Sequence, residues 1–184
     1  LVDPHRGQKT GFFCDQRDTR AFVGSLSKGR RVLDGFAYTG AFTAHALVGG
    51  ATSVTAVESS QAAAEAISVN AALAAPEAAS RVSIVAGDCG DFVRQTKERF
   101  DIAILDPPAL AKKRQDVERA ARLYVDLFAS GLKCVSPGGF LVACSCSAAV
   151  DRALLDRILS AAAREAERDA RIIYRGGAGA DHPV

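Results

Sequence analysis

The sequence contains no methionine, and its first residue is Leu1. A translation product begins with Met, so the expectation is a piece of a longer protein, or a chain whose ends are not included. Charge of one sign is also lacking. The 23 Lys and Arg nearly match the 21 Asp and Glu, leaving a formal net charge of +2. Such a balance gives no basic footprint for nucleic acid, and it argues neither for nor against an RNA partner. No apolar run is long enough to cross a bilayer, and no signal-peptide pattern opens the chain. Internal repeats and low-complexity tracts are absent.

Cysteine is present but unpatterned. The five residues, Cys14, Cys89, Cys134, Cys144 and Cys146, are odd in number, and no pair has zinc-ribbon spacing. Free thiols in a reducing cytoplasm and no metal site are the expectation. Cys144 and Cys146 are poorly placed to bridge, being two apart on one strand. Cys134, inside a helix, reads as a buried structural thiol.

What is there fits a globular domain. The 184 residues are 48% hydrophobic and 24% charged, enough for one domain with a real core. Short β-rich runs alternate with longer alanine-rich stretches. Strands are expected at Arg31–Leu33, Ser53–Val57, Val82–Val85, Ile102–Leu105, Phe140–Ala143 and Arg171–Tyr174. Helices are expected at Gln16–Leu26, Ala41–Val48, Ala62–Leu73, Cys89–Glu98, Asp116–Val135 and Arg152–Arg168, with Pro137-Gly138-Gly139 stopping the long helix and turning into the fifth strand. Regular alternation predicts a doubly wound, mostly parallel α/β sheet covered on both faces. Residues 1–184 read as one domain, with 1–30 as a leading segment and helix and 31–184 as the sheet core.

In such folds ligands bind beyond the carboxyl ends of the strands. Four of the first five strands deliver an acidic residue there. The first leads into Asp34-Gly35-Phe36-Ala37-Tyr38-Thr39-Gly40, where Phe36 and Tyr38 stand in place of two glycines of the phosphate-binding GxGxxG pattern. A phosphate cradle is disfavoured, while a ligand without phosphates is compatible with the bulkier loop. Glu58 follows the second strand, placed for a ribose diol or as a neighbour of the next helix N-terminus. Asp88 follows the third and either meets an adenine amino group or caps a helix. Asp106-Pro107-Pro108 follows the fourth, where two prolines stiffen the backbone behind a side chain. The fifth, read as a central strand, runs into Cys144-Ser145-Cys146-Ser147 and brings Cys146 near Asp106.

Taken together, Asp34-x-Phe36-x-Tyr38-x-Gly40, Glu58, Asp88, Asp106-Pro107-Pro108 and Ser145-Cys146-Ser147 resemble the class I methyltransferases. They more closely resemble the bacterial and archaeal family of PUA-domain-containing 23S rRNA cytosine-C5 methyltransferases. Lys9-Thr10-Gly11-Phe12-Phe13-Cys14-Asp15-Gln16-Arg17 is similar to that family's leading motif, Ala111-Lys112-Lys113 with Arg122-x-Tyr124 to the segment after its DPP turn, and Asp181-His182-Pro183-Val184 to its late loop.

The resemblance implies a Rossmann-like domain lacking the family's final strand, S-adenosylmethionine (SAM) as cofactor, and a cytosine in large-subunit rRNA as substrate. It implies that Phe13, Gln16 and Arg17 line the cofactor, and that Asp34, Phe36, Ala37, Tyr38, Thr39 and Gly40 surround its methionine part. Glu58 with Ser59 would hold the ribose, Asp88 with Cys89 the adenine, and Asp106 would face both cofactor and base. Cys146 matches the nucleophile position. An N-terminal PUA domain is expected in the full protein. The chain departs from many RNA cytosine-C5 enzymes in having Ala109, not a second cysteine, directly after the DPP turn. Other readings are a SAM enzyme acting on another atom such as guanine N7, a non-catalytic RNA-binding scaffold, and a dinucleotide oxidoreductase, the last disfavoured by the missing GxGxxG. His5, His45 and His182 form no recognisable cluster, and Lys112, Lys113 and Arg114 make a basic knot beside the expected pocket.

Overall fold

A computed structural model describes residues 13–111 and 114–177. Lys9 to Phe12, Lys112, Lys113, His5 and the late loop Asp181–Val184 with its His182 lie outside the described residues. A 3-10 turn, Cys14–Gln16, leads into α1 (Arg17–Leu26). The chain then alternates β1 (Arg31–Gly35), α2 (Ala41–Val48), β2 (Ser53–Glu58), α3 (Gln61–Ala74), β3 (Val82–Ala86), α4 (Cys89–Gln95), β4 (Phe100–Leu105), α5 (Val117–Cys134), β5 (Val135–Ala143) and α6 (Arg152–Glu165). The five strands form one sheet in the order β3-β2-β1-β4-β5, and every pairing is parallel.

The sheet's two faces follow from side-chain alternation along each strand. Val32, Val54, Ile102 and Ile104 pack with Val23 of α1, with Phe42, Ala46 and Leu47 of α2 and with Ala71 of α3. Leu33, Ala103 and Leu105 point the other way, into a second cluster with Val93 of α4, with Tyr124 and Phe128 of α5 and with Ile158 of α6. Buried Ala120, Tyr124, Leu127, Phe128 and Gly131 form one stripe of α5 at helical spacing. Each fully buried large apolar side chain of this kind contributes about 1.5–3 kcal/mol.

Four expectations need correction. Arg171–Tyr174 has a strand-like composition but no strand geometry; Ile172 and Ile173 are exposed, and Tyr174 stacks on Phe22 of α1 with ring centroids 4.2 Å apart. Among the described residues no strand pairs with it, so its β propensity has nothing to act on. Pro137-Gly138-Gly139 does not stop the helix. That helix ends at Cys134, and β5 already begins at Val135, paired with Phe100. The Pro-Gly-Gly stretch bulges out before pairing resumes at Phe140 opposite Ile102, and Gly138 takes the left-handed φ of 77° that the bulge requires. Finally, β5 stands at the sheet edge rather than in its centre, since its only partner among the described residues is β4. Helix α4 is also shorter than expected, ending at Gln95. Among the described residues no helix is long and apolar enough to cross a membrane.

Candidate active site

The loop between β1 and α2 has an unusual backbone. Phe36, Tyr38 and Gly40 all have positive φ, at 60°, 50° and 80°. The two aromatic residues that displace glycines in the sequence therefore adopt the torsions that glycine favours, at roughly 1–2 kcal/mol each. Surrounding bonds hold the loop in this shape. The Ala37 amide donates to Val57 O at 3.1 Å, the Tyr38 amide to Glu58 Oε2 at 2.8 Å, and Asn70 Nδ2 to Thr39 O at 2.8 Å. Gly40 is needed twice over, because a Cβ there would also lie 3.0 Å from Ile67 Cγ2. Beneath the loop Cys89 is buried and bonded to the Phe36 backbone; burial pushes its thiol up to about 12, so it stays protonated.

The strand-end acids differ in what they do. Asp34 is 1% exposed, and its Oδ2 accepts from the Thr43 amide at 2.8 Å and from Thr43 Oγ1 at 2.6 Å, tying β1 to the first turn of α2. Burial raises its carboxyl to about 6 against those two bonds. Glu58 is half-buried. One of its oxygens takes the Tyr38 amide and the other the Ser60 amide at 2.8 Å, with Ser59 Oγ at 3.5 Å. Asp88 is exposed and caps α4 through the Asp91 amide at 2.8 Å, while the preceding Gly87 amide reaches Glu58 O at 3.0 Å.

The leading segment folds over these strand ends. The Phe13 ring meets Tyr38 edge-on at 5.6 Å, and the Gln16 side chain hydrogen-bonds the thiol of buried Cys144 just past β5. Arg17, by contrast, is exposed, with Nε 3.3 Å from Asp18 Oδ1. Three residue positions later α1 turns Arg20 inward. Its guanidinium donates to Phe13 O, sits 5.6 Å over the Phe42 ring, and feels the carboxylates of Asp106, Asp15 and Asp34. Burial lowers the Arg20 pKa against the pull of those acids. Asp106 is half-buried, and burial first, then the like charge of Asp15, raises it to about 6 against Arg20. Little in the sequence marks Arg20, and nothing marks the contacts of Asp15 and Cys144, because their partners lie on other elements; the one available signal is an Arg on the apolar side of an otherwise amphipathic α1.

Beyond Ala143 the backbone leaves the sheet and carries Cys144 to Ser147 without regular structure. The Cys144 amide still bonds Leu105 O at 2.9 Å, so this segment runs beside the start of the Asp106 turn. Cys146 is exposed, and its Sγ lies 3.7 Å from Pro107 O. The structure thus brings Phe13, Gln16, Tyr38, Asp34 and Asp106 to one end of the sheet, with Cys146 against the residue after Asp106. It leaves Arg17 at the surface and Cys89 in the core. Among the described residues no group of three or more His, Cys, Asp or Glu could hold a metal ion.

An all-parallel sheet covered on both faces, with acids at successive strand ends and a left-handed loop after the first, defines a Rossmann-like methyltransferase fold. The chain belongs to the family described as S-adenosylmethionine-dependent methyltransferase, whose sequence profile matches residues 1–175. It is 40% identical over 187 aligned residues to the ribosomal RNA large subunit methyltransferase I of Serratia proteamaculans, and 37% identical over 187 to that of Aeromonas hydrophila. Each match takes in 100% of this chain but 47% of the relative, so the chain spans about half the length of these curated relatives. Among solved structures it is similar to SMU.776, crystallised with SAH, at TM-score 0.72 and 28% identity over 83% of this chain and 41% of that one. NSun6 from Pyrococcus horikoshii shares the fold at TM-score 0.59 and 17% identity, over 77% of this chain and 39% of that one.

Proposed function

We propose that this chain is the catalytic domain of an enzyme that methylates C5 of a cytosine in large-subunit rRNA, with SAM as donor and Cys146 as covalent nucleophile. One observation carries the reading: an exposed thiol lies against Pro107 O, beside the half-buried carboxyl of Asp106. The names of the relatives, which are large-subunit rRNA methyltransferases, support the substrate class.

The strand ends fit the cofactor. Each Glu58 oxygen accepts one backbone N–H, which leaves lone pairs for a ribose diol. Asp88, at the next strand end, would hold the adenine amino group, and Asp34, Tyr38 and Gly40 would border the methionine part. When bound, SAM supplies an electrophilic methyl group on a sulfonium centre. The rest is done by the chain's own groups. Cytosine C5 is a poor nucleophile. The Cys146 thiolate adds to C6, forming a carbon–sulfur bond and making C5 enamine-like, so that C5 can take the methyl group. Loss of the C5 proton restores the C5–C6 double bond as the C6–sulfur bond breaks and the thiolate leaves. Asp106 hydrogen-bonds the N3 or N4 edge and steadies the activated ring. The base must leave its stack to reach Cys146 and Asp106. With Ala109 in place of a second cysteine, the C5 proton goes to another base.

The rest of the full protein, for which an N-terminal PUA domain is expected, supplies RNA affinity, and the cytoplasm is the compartment of action. The test is nucleoside analysis of large-subunit rRNA transcripts incubated with the protein and labelled SAM. Label in 5-methylcytidine is the expected result; label in 7-methylguanosine, or in no nucleoside, contradicts it.

A further inference from the structure

The Cys146 segment has no strand or helix to hold it, yet it must present a thiol to one ring carbon. Its flanking residues are held by a buried hydroxyl cluster. Tyr124 of α5 is fully buried, its ring stacked on Phe128 at 5.5 Å. Ser145 Oγ donates to Tyr124 Oη at 3.0 Å, and Tyr124 Oη lies 3.1 Å from Ser147 Oγ. Ser147 returns a bond to Ser145, its amide donating to Ser145 Oγ at 3.3 Å. Ser147 Oγ also accepts the Ala111 amide at 3.2 Å. A single phenol therefore meets the residues on both sides of Cys146, and through Ser147 it ties them to the backbone that follows the Asp106-Pro107-Pro108 turn.

We propose that Tyr124 is the positioning residue for Cys146, its hydroxyl fixing the thiol-bearing loop against the Asp106 turn. The inference rests on the reading of Cys146 as nucleophile. One proton arrangement satisfies these contacts: with Ser145 donating to Tyr124, the Tyr124 hydroxyl is left to donate to Ser147, whose oxygen also takes the Ala111 amide. The core needs only the ring, since Phe would fill the same space beside Phe128. The hydroxyl serves the loop, and networks of this kind rigidify when every member is satisfied. A misplacement of about 1 Å at a reacting atom is enough to cost a rate roughly a hundredfold.

The test compares Tyr124→Phe, Ser145→Ala, their double variant and Ser145→Thr by steady-state methyl transfer to an rRNA transcript. Alkylation of Cys146 by iodoacetamide, followed on its peptide by mass spectrometry, gives a readout independent of turnover. The expected result is a kcat lower by about ten- to a hundredfold in Tyr124→Phe, with KM for RNA and SAM affinity unchanged and Cys146 alkylated faster because its loop is released. Ser145→Ala should lose a similar factor, the double variant little more, and Ser145→Thr should recover. Wild-type kcat and alkylation rate in Tyr124→Phe, or a change confined to KM, overturns the proposal. If Tyr124→Phe loses its cooperative melt, the two Ser145 variants, which lie outside α5, decide by the same criteria. Failure of the underlying reading looks different: Cys146→Ala would then still methylate cytosine. A dead Cys146→Ala beside a fully active Tyr124→Phe overturns the positioning role alone.

Discussion

The Tyr38 amide and the Glu58 carboxylate are joined at 2.8 Å, so the strained loop after β1 and the acid ending β2 form one rigid unit. Neither would keep its place without the other. Glu58→Gln keeps the size of the side chain but removes its charge and half of its accepting capacity. Hydrogen bonds to charged groups contribute about 1.5–3 kcal/mol, so SAM affinity should fall by roughly tenfold or more. The melting temperature should fall too, because the amide nitrogen of Gln cannot accept from the Tyr38 or Ser60 amide. Calorimetric titration with SAM checks this; unchanged affinity removes Glu58 from the cofactor site.

Gly40→Ala should be harmful in two ways. The new Cβ meets Ile67 Cγ2 at 3.0 Å, and the φ of 80° is one that alanine resists. A loss of about 1–3 kcal/mol in urea denaturation is expected, with weaker SAM binding as the loop shifts. Stability equal to wild type would mean the loop is not held as described.

Asp106 makes stability depend on pH in a definite direction. Its carboxyl titrates at about 6 in the folded chain, raised by burial from an ordinary 3.8. Between those values the folded state binds the extra proton, so stability falls as pH rises from about 4 to about 6 and the loss persists above. Asp34, raised to about 6 by its own burial, acts in the same sense. Asp106→Asn should flatten the profile and raise stability at pH 7.5 by the order of 1–3 kcal/mol, while methyl transfer falls sharply. Urea melts at pH 5 and pH 7.5 test the first part. A profile as steep in the variant as in wild type would contradict it.

The same titration should appear in catalysis. Under the proposed mechanism the Asp106 carboxylate would accept from the cytosine N4 amino group, and protonation would turn one of its two accepting oxygens into a donor. The single-turnover rate should therefore decline as acidification protonates Asp106, and this inflection should be missing in Asp106→Asn. A wild-type rate flat from pH 5 to pH 7 would remove the Asp106 role.

Much of this was legible in the sequence, for identifiable reasons. Apolar runs such as Ile102 to Leu105 fit strands buried on both faces, and a parallel sheet puts their carboxyl ends at one side, so Asp34, Glu58, Asp88 and Asp106 fall at the same end of the sheet. Arg171 to Tyr174 failed because a strand is defined by a neighbour, and composition does not show whether one is present. The bulge at Pro137 to Gly139 failed because the same residues stop helices and interrupt strands. Positive φ at Phe36 and Tyr38 runs against the preference of both residue types and is imposed by Glu58, Val57 and Asn70. Arg20 and Tyr124 were invisible as site residues because their partners are brought to them only by the fold.

Covalent catalysis by Cys146 is tested most directly by trapping. In RNA carrying 5-fluorocytidine at the target, fluorine replaces the C5 proton, so the adduct formed after methyl transfer cannot resolve. Incubation with SAM should give a denaturation-resistant protein–RNA complex whose peptide mass maps to Cys146, and none with Cys146→Ala. A complex mapping to another cysteine, or methylation at the wild-type rate by Cys146→Ala, would contradict the account.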